Sequence, residues 1–403
     1  FSIKEKENAY LFNGLNISKN KEAIKHQNKY PVIFIFLKDM KNSSYEKQMN
    51  RFKEVICLCA KSHLELLNSE RLLASEKKLF QKYVDNETED NALEKSLFNI
   101  SYFLYKHYHQ KVIILIDEYD LPLQSAYQYN YYDEMVEFLR SVFSSLKIND
   151  SLEKGIMAGC LRISKESIFT GLNNFKAYSI LYKSKNEYFG FTKKEILQLL
   201  KDYNLTDYVD EVKEWYDGYL FGNIEIYNLW STLIYVNCKL NSSDNKPISF
   251  WANTSGNDLV VNYIQNGSDE LHEEFEQLIQ GKSLTKYIKP ELTYREMDNI
   301  NNIYSFPLLT GYLKIKEDLG ENKYKLIIPN KEVYEIYKQS FMSYFEDYTF
   351  VRKENLYQSL VKGDVDHANE ILGDILSRSI SYFDNEESFY HGFLLGLFSG
   401  KKI

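Results

Sequence analysis

Short apolar runs alternate with longer stretches of helical periodicity in the first part of the chain. Residues 30–37 (YPVIFIFL) and 111–117 (KVIILID) have the length, the β-branched content and the apolar character of buried strands. Residues 155–161 and 176–181 are predicted as two further strands. Helices are predicted between them at 45–82, 93–108 and 131–146. This alternation predicts an α/β fold with a parallel sheet and helices on both faces.

The pattern becomes mainly helical after about residue 188. Helices are predicted at 192–203, 208–216, 228–240, 257–264 and 269–280. Thr192 and Glu195 form a capping box, which predicts the start of the first of these helices. Strand-like pieces then flank an apolar helix at 304–313, and a strand at 324–328 leads into a helix at 332–345. This order is compatible with a winged-helix-like module. Residues 354–382 and 389–398 are predicted to be helical.

Composition and charge narrow the class of protein. Of the 403 residues, 44% are hydrophobic and 26% are charged, which excludes a disordered or fibrous chain. The net charge of −8 disfavours a globally basic nucleic-acid binder and leaves a local basic face open. Four cysteines make no disulfide framework, and no apolar run approaches the ~20 residues of a membrane span. We therefore expect a cytoplasmic protein with no membrane partner.

One predicted strand ends in two acidic residues that are candidates for catalysis. Four apolar residues, 113–116, are followed directly by Asp117 and Glu118. This is the Walker B pattern of P-loop NTPases, in which an Asp at the carboxyl end of a buried strand holds Mg²⁺ through water. The adjacent Glu orients or deprotonates the water that attacks the γ-phosphate of ATP. The competing interpretation is a buried strand whose acids only cap the next turn, and we favour the catalytic one.

Arg162 is the third candidate, because it follows the next predicted strand. At the end of such a strand a guanidinium can bind a γ-phosphate through its planar set of N–H donors. The alternative interpretation is that Arg162 forms a surface salt bridge. The sequence contains no G-x-x-x-x-G-K-[ST] phosphate-binding loop. Its Gly281-Lys282-Ser283 has Glu276 in place of the first glycine and follows a helix, so it is predicted to be a helix C-cap.

Two other groups of residues have weaker claims to function. Cys57 and Cys59 are predicted to lie in a helix, one in the core and one at the surface, and no second pair completes a zinc site. The tyrosine-rich run at 127–132 either stacks on a base or forms a loop and helix-entry surface, and the second interpretation is favoured.

With these residues assembled, the chain resembles the bacterial predicted AAA-ATPase-like proteins that carry a C-terminal PD-(D/E)XK-superfamily nuclease domain. The resemblance rests on an ordered series of short stretches spread over essentially the whole chain. They are 115–124 (LIDEYDLPLQ), 131–135 (YYDEM), 161–174 (LRISKESIFTGLNN), 187–192 (EYFGFT), 214–219 (EWYDGY) with 221–222 (FG), 251–255 (WANTS), 328–333 (IPNKEV) and 388–397 (SFYHGFLLGL).

The resemblance implies a P-loop NTPase-like core with ATP and Mg²⁺ as ligands. By that likeness Asp117 is the Walker B magnesium residue, Glu118 the catalytic acid and Arg162 a phosphate-sensing arginine. Asp120 belongs to the shared DEYD signature without an implied role. Ala158 stands where relatives usually have Thr or Ser, which departs from a sensor hydroxyl.

The resemblance also implies how the chain is divided. We expect an AAA-ATPase-like core at 1–187, a helical lid at 188–282, a winged-helix-like module at 283–350, and a connector with the first nuclease helix at 351–403. The family's phosphate-binding loop would lie upstream of Phe1 and its nuclease residues downstream of Ile403. We therefore expect a fragment that is poorly stable and inactive alone.

Two functions follow as hypotheses. The first is an ATPase coupled to a DNA-acting nuclease, in defence or mobile-element biology, with nucleotide, DNA and a further copy of the chain as candidate partners. The alternative is a non-catalytic DNA- or protein-binding module with a degenerate nucleotide site. Salt-dependent retention on duplex DNA without nucleotide distinguishes the two.

Overall fold

A computed structural model describes residues 1–147, 149–161, 175–242, 245–251, 267–298 and 302–379. Its contacts divide the chain into two units. Unit 1 comprises Phe1–Ala177 and Tyr287–Thr310, and unit 2 comprises Tyr178–Lys286 and Gly311–Ile403. The four-part division expected from the sequence stays a prediction.

Unit 1 is built on a parallel three-stranded sheet with the order β1-β2-β3. The strands are β1 (Val32–Phe36), β2 (Val112–Asp117) and β3 (Leu152–Met157). The central strand β2 is the most deeply buried, as its continuous apolar run predicts. The strand predicted at 155–161 is β3, which begins at Leu152 and ends at Met157. Residues 176–181 form no strand, and the carbonyl of Ile180 instead accepts a hydrogen bond from the N–H of Gly222.

Helices of unit 1 connect and cover these strands. They are α1 (Lys21–Ile24), α2 (Tyr45–Lys61), α3 (Ala74–Val84), α4 (Asp90–Glu94), α5 (Ser96–Tyr108), α6 (Leu121–Gln128) and α7 (Tyr132–Ser144). The helix predicted at 45–82 is broken, because the chain turns at Ser62 and buries Leu66 in a 3₁₀ turn. The helix predicted at 93–108 likewise begins as a separate turn, α4. Phe52 of α2 packs edge-on against Phe138 of α7, with ring centroids 5.0 Å apart.

One face of the sheet in unit 1 is well covered and the other is not. Ile33 and Ile35 are buried, whereas Phe34 and Phe36 are 57% and 43% exposed. Phe34 pairs in register with Leu115, which pairs with Ile156, itself 44% exposed. Two successive right-handed crossovers between strands in sequence order place their helices on the same face. Helices on both faces were expected, and in the described residues this holds for one face only.

Unit 2 begins with a small antiparallel sheet and several helices. Its sheet has the order β4-β6-β5, from β4 (Phe191–Thr192), β5 (Tyr219–Phe221) and β6 (Ile224–Tyr227), and sequence reasoning predicted none of these strands. The helices are α8 (Lys193–Asp202), α9 (Val209–Tyr216), α10 (Leu229–Asn241) and α11 (Asp269–Ile279). Each confirms a predicted helix, and the Thr192–Glu195 capping box is present. The helix predicted at 257–264 lies outside the described residues.

A third sheet has the order β7-β9-β8. Its strands are β7 (Leu284–Tyr287), β8 (Lys314–Asp318) and β9 (Lys323–Ile327). The apolar helix predicted at 304–313 is shorter, α12 (Ser305–Leu309), and α13 (Lys331–Lys362) far outruns the helix predicted at 332–345. The last described helix is α14 (Val365–Ser379), and the helix predicted at 389–398 lies beyond the described chain. The winged-helix-like module stays a prediction.

Candidate functional site

The carboxyl end of β2 is held from both sides by the neighbouring strands. The N–H of Leu37, just after β1, donates to the carbonyl of Asp117 at 3.1 Å. The N–H of Ala158, just after β3, donates to the carbonyl of Ile116 at 2.9 Å. The backbone that carries the candidate acids is therefore fixed where an open parallel sheet binds its ligands.

Asp117 and Glu118 form a tight turn as the chain leaves the strand. The Asp117 carboxylate accepts the backbone N–H of Glu118 at 3.0 Å. Glu118 has a φ of +56°, a left-handed conformation that is uncommon for a residue with a side chain. Such backbone is found where surrounding contacts impose it, often at functional sites. The capping interpretation thus accounts for one hydrogen bond of Asp117 and leaves Glu118 unexplained.

Charges around Glu118 shape its acidity. Burial, followed by the negative charge of Asp117, raises the pKa of Glu118, while Lys38 and Lys41 lower it. Both lysines are exposed and lie in the loop after β1. Sequence reasoning did not select them, although they follow a parallel strand whose end meets the same edge of the sheet. A half-buried carboxyl with a raised pKa is suited to accept a proton near neutral pH.

The loop that carries the two lysines is braced by side chains from three elements. The carbonyl of Met40 accepts Gln48 Nε2 of α2 at 2.8 Å and Ser125 Oγ of α6 at 3.5 Å. The Tyr131 hydroxyl donates to the carbonyl of Asn42 at 2.6 Å. These bonds connect the loop after β1 to α2, to α6 and to Tyr131, the residue before α7.

Asp120 is buried and binds the chain just beyond β3. Its Oδ1 accepts the N–H of Cys160 at 3.2 Å, and its Oδ2 accepts the N–H of Leu161 at 2.9 Å. Burial raises the pKa of Asp120 to about 6, although the hydrogen bond from Leu161 opposes this. The Tyr119 hydroxyl donates to the carbonyl of Leu161. Arg162, the next residue, lies outside the described residues.

The tyrosine-rich run at 127–132 belongs to the structure of unit 1. Tyr131 and Tyr132 are buried, and the rings of Tyr127 and Tyr132 both pack against Tyr294, which lies in a 3₁₀ turn at Tyr294–Asp298. Arg295 forms an ion pair with Asp133 and lies over the Tyr132 ring, 5.1 Å from its centroid. The expected helix entry is present, whereas an exposed surface is found only at residues 128–130, because Tyr131 and Tyr132 are buried.

The two remaining sequence candidates have structural roles. Gly281 has a φ of +79°, and the N–H groups of Gly281 and Lys282 donate to the carbonyls of Leu278 and Gln277, which is a Schellman C-cap. Cys57 and Cys59 are both buried, so the expectation that one of them lies at the surface was wrong. Within the described residues, no group of three or more His, Cys, Asp or Glu could hold a metal ion.

Unit 2 has an open cleft of about 340 Å³ at the start of β5. It is lined by Asp210, Lys213, Glu214, Asp217, Gly218, Glu225, Lys314 and Pro329. Asp217 is buried, and burial raises its pKa while the N–H of Gly218 donates to it at 2.6 Å. Burial lowers the pKa of Lys314, and Asp217 opposes this. The stretches EWYDGY and IPNKEV, which are more than 100 residues apart in the sequence, meet at this cleft.

The end of β2 supplies a carboxylate for a magnesium ion, and the sequence supplies no loop that would bind the phosphates beside it. Mg²⁺ retains several waters and takes one or two protein carboxylates together with substrate phosphates. Asp117 has acceptor positions left after its bond to Glu118, so it can hold the ion through water. No segment of the 403 residues supplies the glycine-rich phosphate cradle.

Comparison with known proteins agrees with this geometry. Residues 1–169 match the family model described as Predicted AAA-ATPase. That range contains the sheet of unit 1 and the residues Asp117, Glu118, Asp120 and Arg162, so this part of the chain is similar to the predicted AAA-ATPases. Over 127 residues the chain is 28% identical to an Azotobacter chroococcum mcd 1 protein described as "Uncharacterized protein in vnfD 5'region". The match covers 31% of this chain and 24% of that protein. No solved structure shows significant similarity.

The described part of the chain also bears on membrane association. None of its helices combines the length and the apolar character needed to cross a bilayer.

Proposed function

We propose that unit 1 is the core of an ATPase that binds Mg²⁺·ATP at the carboxyl end of β2. The observation that carries the proposal is the Asp117–Glu118 turn, held between two parallel strands in a domain similar to predicted AAA-ATPases. ATP is the substrate, and Mg²⁺ supplies positive charge at its β- and γ-phosphates.

Each residue of the site has a distinct part in this proposal. Asp117 holds the ion through water. Glu118 accepts a proton from the water that attacks the γ-phosphate, for which its raised pKa is favourable. Arg162 binds the γ-phosphate and senses its presence. Lys38 and Lys41 place positive charge beside the two acids and attract the nucleotide's phosphates.

The uncovered face of the sheet supports a further element of this ATPase. No described strand pairs with the outer edge of β3, and Phe34, Phe36 and Ile156 are exposed on one face. All-parallel sheets are normally covered on both faces. We propose that a strand and helix carrying the phosphate-binding loop, contributed from outside this sequence, pair with β3 and cover this face in the intact protein.

The test is ATP hydrolysis by the full-length protein and its E118Q variant. Loss of a general base typically costs 10²–10⁴-fold in rate, so kcat should fall at least about 100-fold. Nucleotide affinity should stay within about threefold, because E118Q removes no phosphate contact. D150N, at an exposed aspartate beyond the other end of β3, is the matched control and should turn over normally. Continued turnover by E118Q would remove Glu118 from the mechanism.

We propose in addition that this ATPase is coupled to a DNA-acting nuclease in the intact protein. We also propose that the intact protein acts in defence or mobile-element biology. The resemblance alone supports this part. DNA cleavage by the full-length protein should require ATP and should be lost in E118Q. Cleavage that is indifferent to ATP would uncouple the two activities.

A further inference from the structure

Two parts of unit 2 that are distant in the sequence form the open cleft at the start of β5. One side comes from α9 and the turn into β5, and the other comes from the residues at the two ends of the β8–β9 hairpin. A Cβ at Gly218 would overlap the carbonyl oxygen of Pro329 and would lie 3.0 Å from Lys314 Nζ. Lys331 Nζ donates to Glu214 Oε1 of α9 at 3.0 Å. Close backbone packing and an ion pair therefore join the two sides of the cleft.

Lys314 contributes an ammonium group to the floor of the cleft, which consists of the buried residues Asp217, Gly218 and Pro329 together with the half-buried Lys314. Its Nζ makes no hydrogen bond and no ion pair with any other described residue. Burial lowers the pKa of Lys314, and the charges of Asp217 and Glu225 oppose this from beyond ion-pair distance. An ammonium that has lost part of its water is stabilised by an acceptor placed against it. The floor thus presents a donor that a ligand would satisfy.

Asp217 contributes an acceptor to the same floor. It is 6% exposed, and the N–H of Gly218 donates to its Oδ1 at 2.6 Å. A carboxylate has about four acceptor positions, so this bond leaves others for a ligand. Lys314 and Tyr227 both lower the pKa of Asp217 against the effect of burial, which favours the charged carboxylate. The donor of Lys314 and the acceptor of Asp217 together match the C=O and the N–H of a peptide group.

Exposed residues form the rim of the cleft, and most of them are acidic. The rim consists of Asp210, Lys213, Glu214 and Glu225. Lys331 engages Glu214, whereas Asp210 and Glu225 form no ion pair within the part of the chain that the structure describes. Asp210 lies on α9 and Glu225 on β6, so the two carboxylates come from different elements. Carboxylates without a counterion attract a cation and repel the phosphates of a nucleic acid.

The shape of the cleft favours a polypeptide over a small molecule. Sites for small molecules bury about 70–90% of the ligand surface. Every rim residue here is exposed, so a compact ligand in the space of about 340 Å³ would remain open to water on that side. An extended chain can instead enter and leave the cleft, with a peptide group on the floor and a side chain at the rim. Among basic side chains, a guanidinium has five N–H donors in a plane, so it can contact carboxylates of two elements at once.

We propose that this cleft binds an extended segment of a polypeptide partner through one of the partner's arginine residues. A main-chain carbonyl of the segment accepts from Lys314, and a main-chain N–H donates to Asp217. The guanidinium of the segment contacts Asp210 and Glu225 at the rim. The proposal goes beyond the ATPase function and does not depend on it, because every residue concerned belongs to unit 2.

The first experiment measures the binding of synthetic peptides to this chain by isothermal titration calorimetry. The probe is a blocked pentapeptide with arginine between glycines, and its control carries citrulline, which has nearly the same shape without the charge. The arginine peptide should bind at least about tenfold more tightly, because charge-assisted hydrogen bonds are the strong ones. Equal affinities of the two peptides, or binding of neither, would overturn the proposal. Arginine amide that binds as tightly as the peptide would overturn the assignment of a polypeptide ligand.

The second experiment repeats the titration with variants of the cleft. D210N and E225Q each remove an exposed charge and should weaken binding about two- to fivefold. K314M removes the donor of the floor and should weaken binding about tenfold. D207N and K316M are matched controls at exposed residues outside the lining, and they should bind like the wild type. Unchanged affinity in K314M would overturn the proposal. Equal losses in D207N and D210N would also overturn it, since they would show a general effect of charge.

Circular dichroism of each variant checks that the fold is retained. The four carboxylate and lysine side chains at the rim and in the controls are exposed, so their substitution removes no buried contact.

Discussion

Ser231 Oγ donates a hydrogen bond of 2.7 Å to Glu332 Oε1, joining α10 to the first turn of α13 across 101 residues of sequence. The same oxygen accepts the backbone N–H of Trp251 at 2.9 Å. Glu332 is completely buried, and its other oxygen has no hydrogen-bond partner. One carboxylate thus connects α10 and Trp251 to the first turn of α13.

Replacing Glu332 by Ala should lower the free energy of unfolding by about 2–4 kcal/mol, because it leaves two buried donors unsatisfied and opens a cavity. E332Q keeps an acceptor and removes the buried charge, so it should cost less than about 1.5 kcal/mol. S231A removes a single bond and should cost about 1 kcal/mol. Urea unfolding of the three variants measures this order. An E332Q variant as unstable as E332A would show that the charge itself is required.

Glu65 should govern stability in strong acid. Burial would raise its pKa, but hydrogen bonds from His63 and Lys4 outweigh this and hold it at about 2. Because the folded pKa lies below the unfolded one, the stabilisation is complete above pH ~4.5 and is lost as the pH falls toward 2. The pair with Lys4 is partly exposed, so we expect about 1–2 kcal/mol. Denaturation between pH 2 and 5 should show a shallower loss in E65Q than in the wild type.

Asp120 should stabilise the folded protein less as the pH rises, which is the opposite of the pH dependence expected for Glu65. Its folded pKa of about 6 lies above the ordinary pKa of an aspartate side chain, so protonation favours the folded state. Its contribution is greatest below pH ~4 and declines as the pH rises through 6, by about 3 kcal/mol at most. The difference in unfolding free energy between the wild type and D120N should therefore shrink from pH 4 to pH 7. A difference that is constant with pH would place the folded pKa of Asp120 near its ordinary value.

Gly218 should tolerate no side chain. It has a φ of +113°, and a Cβ there would overlap the carbonyl oxygen of Pro329 and lie 3.0 Å from Lys314 Nζ. G218A should lower the free energy of unfolding by more than 2 kcal/mol, since backbone strain and a clash add. Gly281 is the matched control, because its φ is +79° and nothing lies within 4 Å of its Cβ position. G281A should cost only about 1 kcal/mol, and equal losses in thermal melts would show that the contact with Pro329 is relaxed.

The strands of unit 1 and the two acids could be predicted because their signals are local. β1 and β2 are continuous apolar runs, and Asp117 and Glu118 follow β2 directly. The start of α8 was equally predictable, since Thr192 and Glu195 bond within one turn. Each of these inferences depends on residues that are neighbours in the sequence.

The features that could not be predicted depend on distant partners. The periodicity at 45–82 continues across Ser62, and only the burial of Leu66 shows why the helix breaks there. Asp120 finds its donors 40 and 41 residues away.

The β5–β6 hairpin is different, because its Gly222-Asn223 turn is a recognised hairpin signal that sequence reasoning overlooked.

The two-piece composition of unit 1 constrains how the gene can be cut. Tyr294 and Arg295 lie in its second piece, and they cover Tyr127, Tyr132 and Asp133 in the first. A stop codon near residue 180 would therefore remove the buried Tyr294 from unit 1 and would expose the rings of Tyr127 and Tyr132 that pack against it. Residues 178–286 behave as an insertion within unit 1. An expression fragment of unit 1 should therefore retain residues 287–310 and should not end at the first boundary.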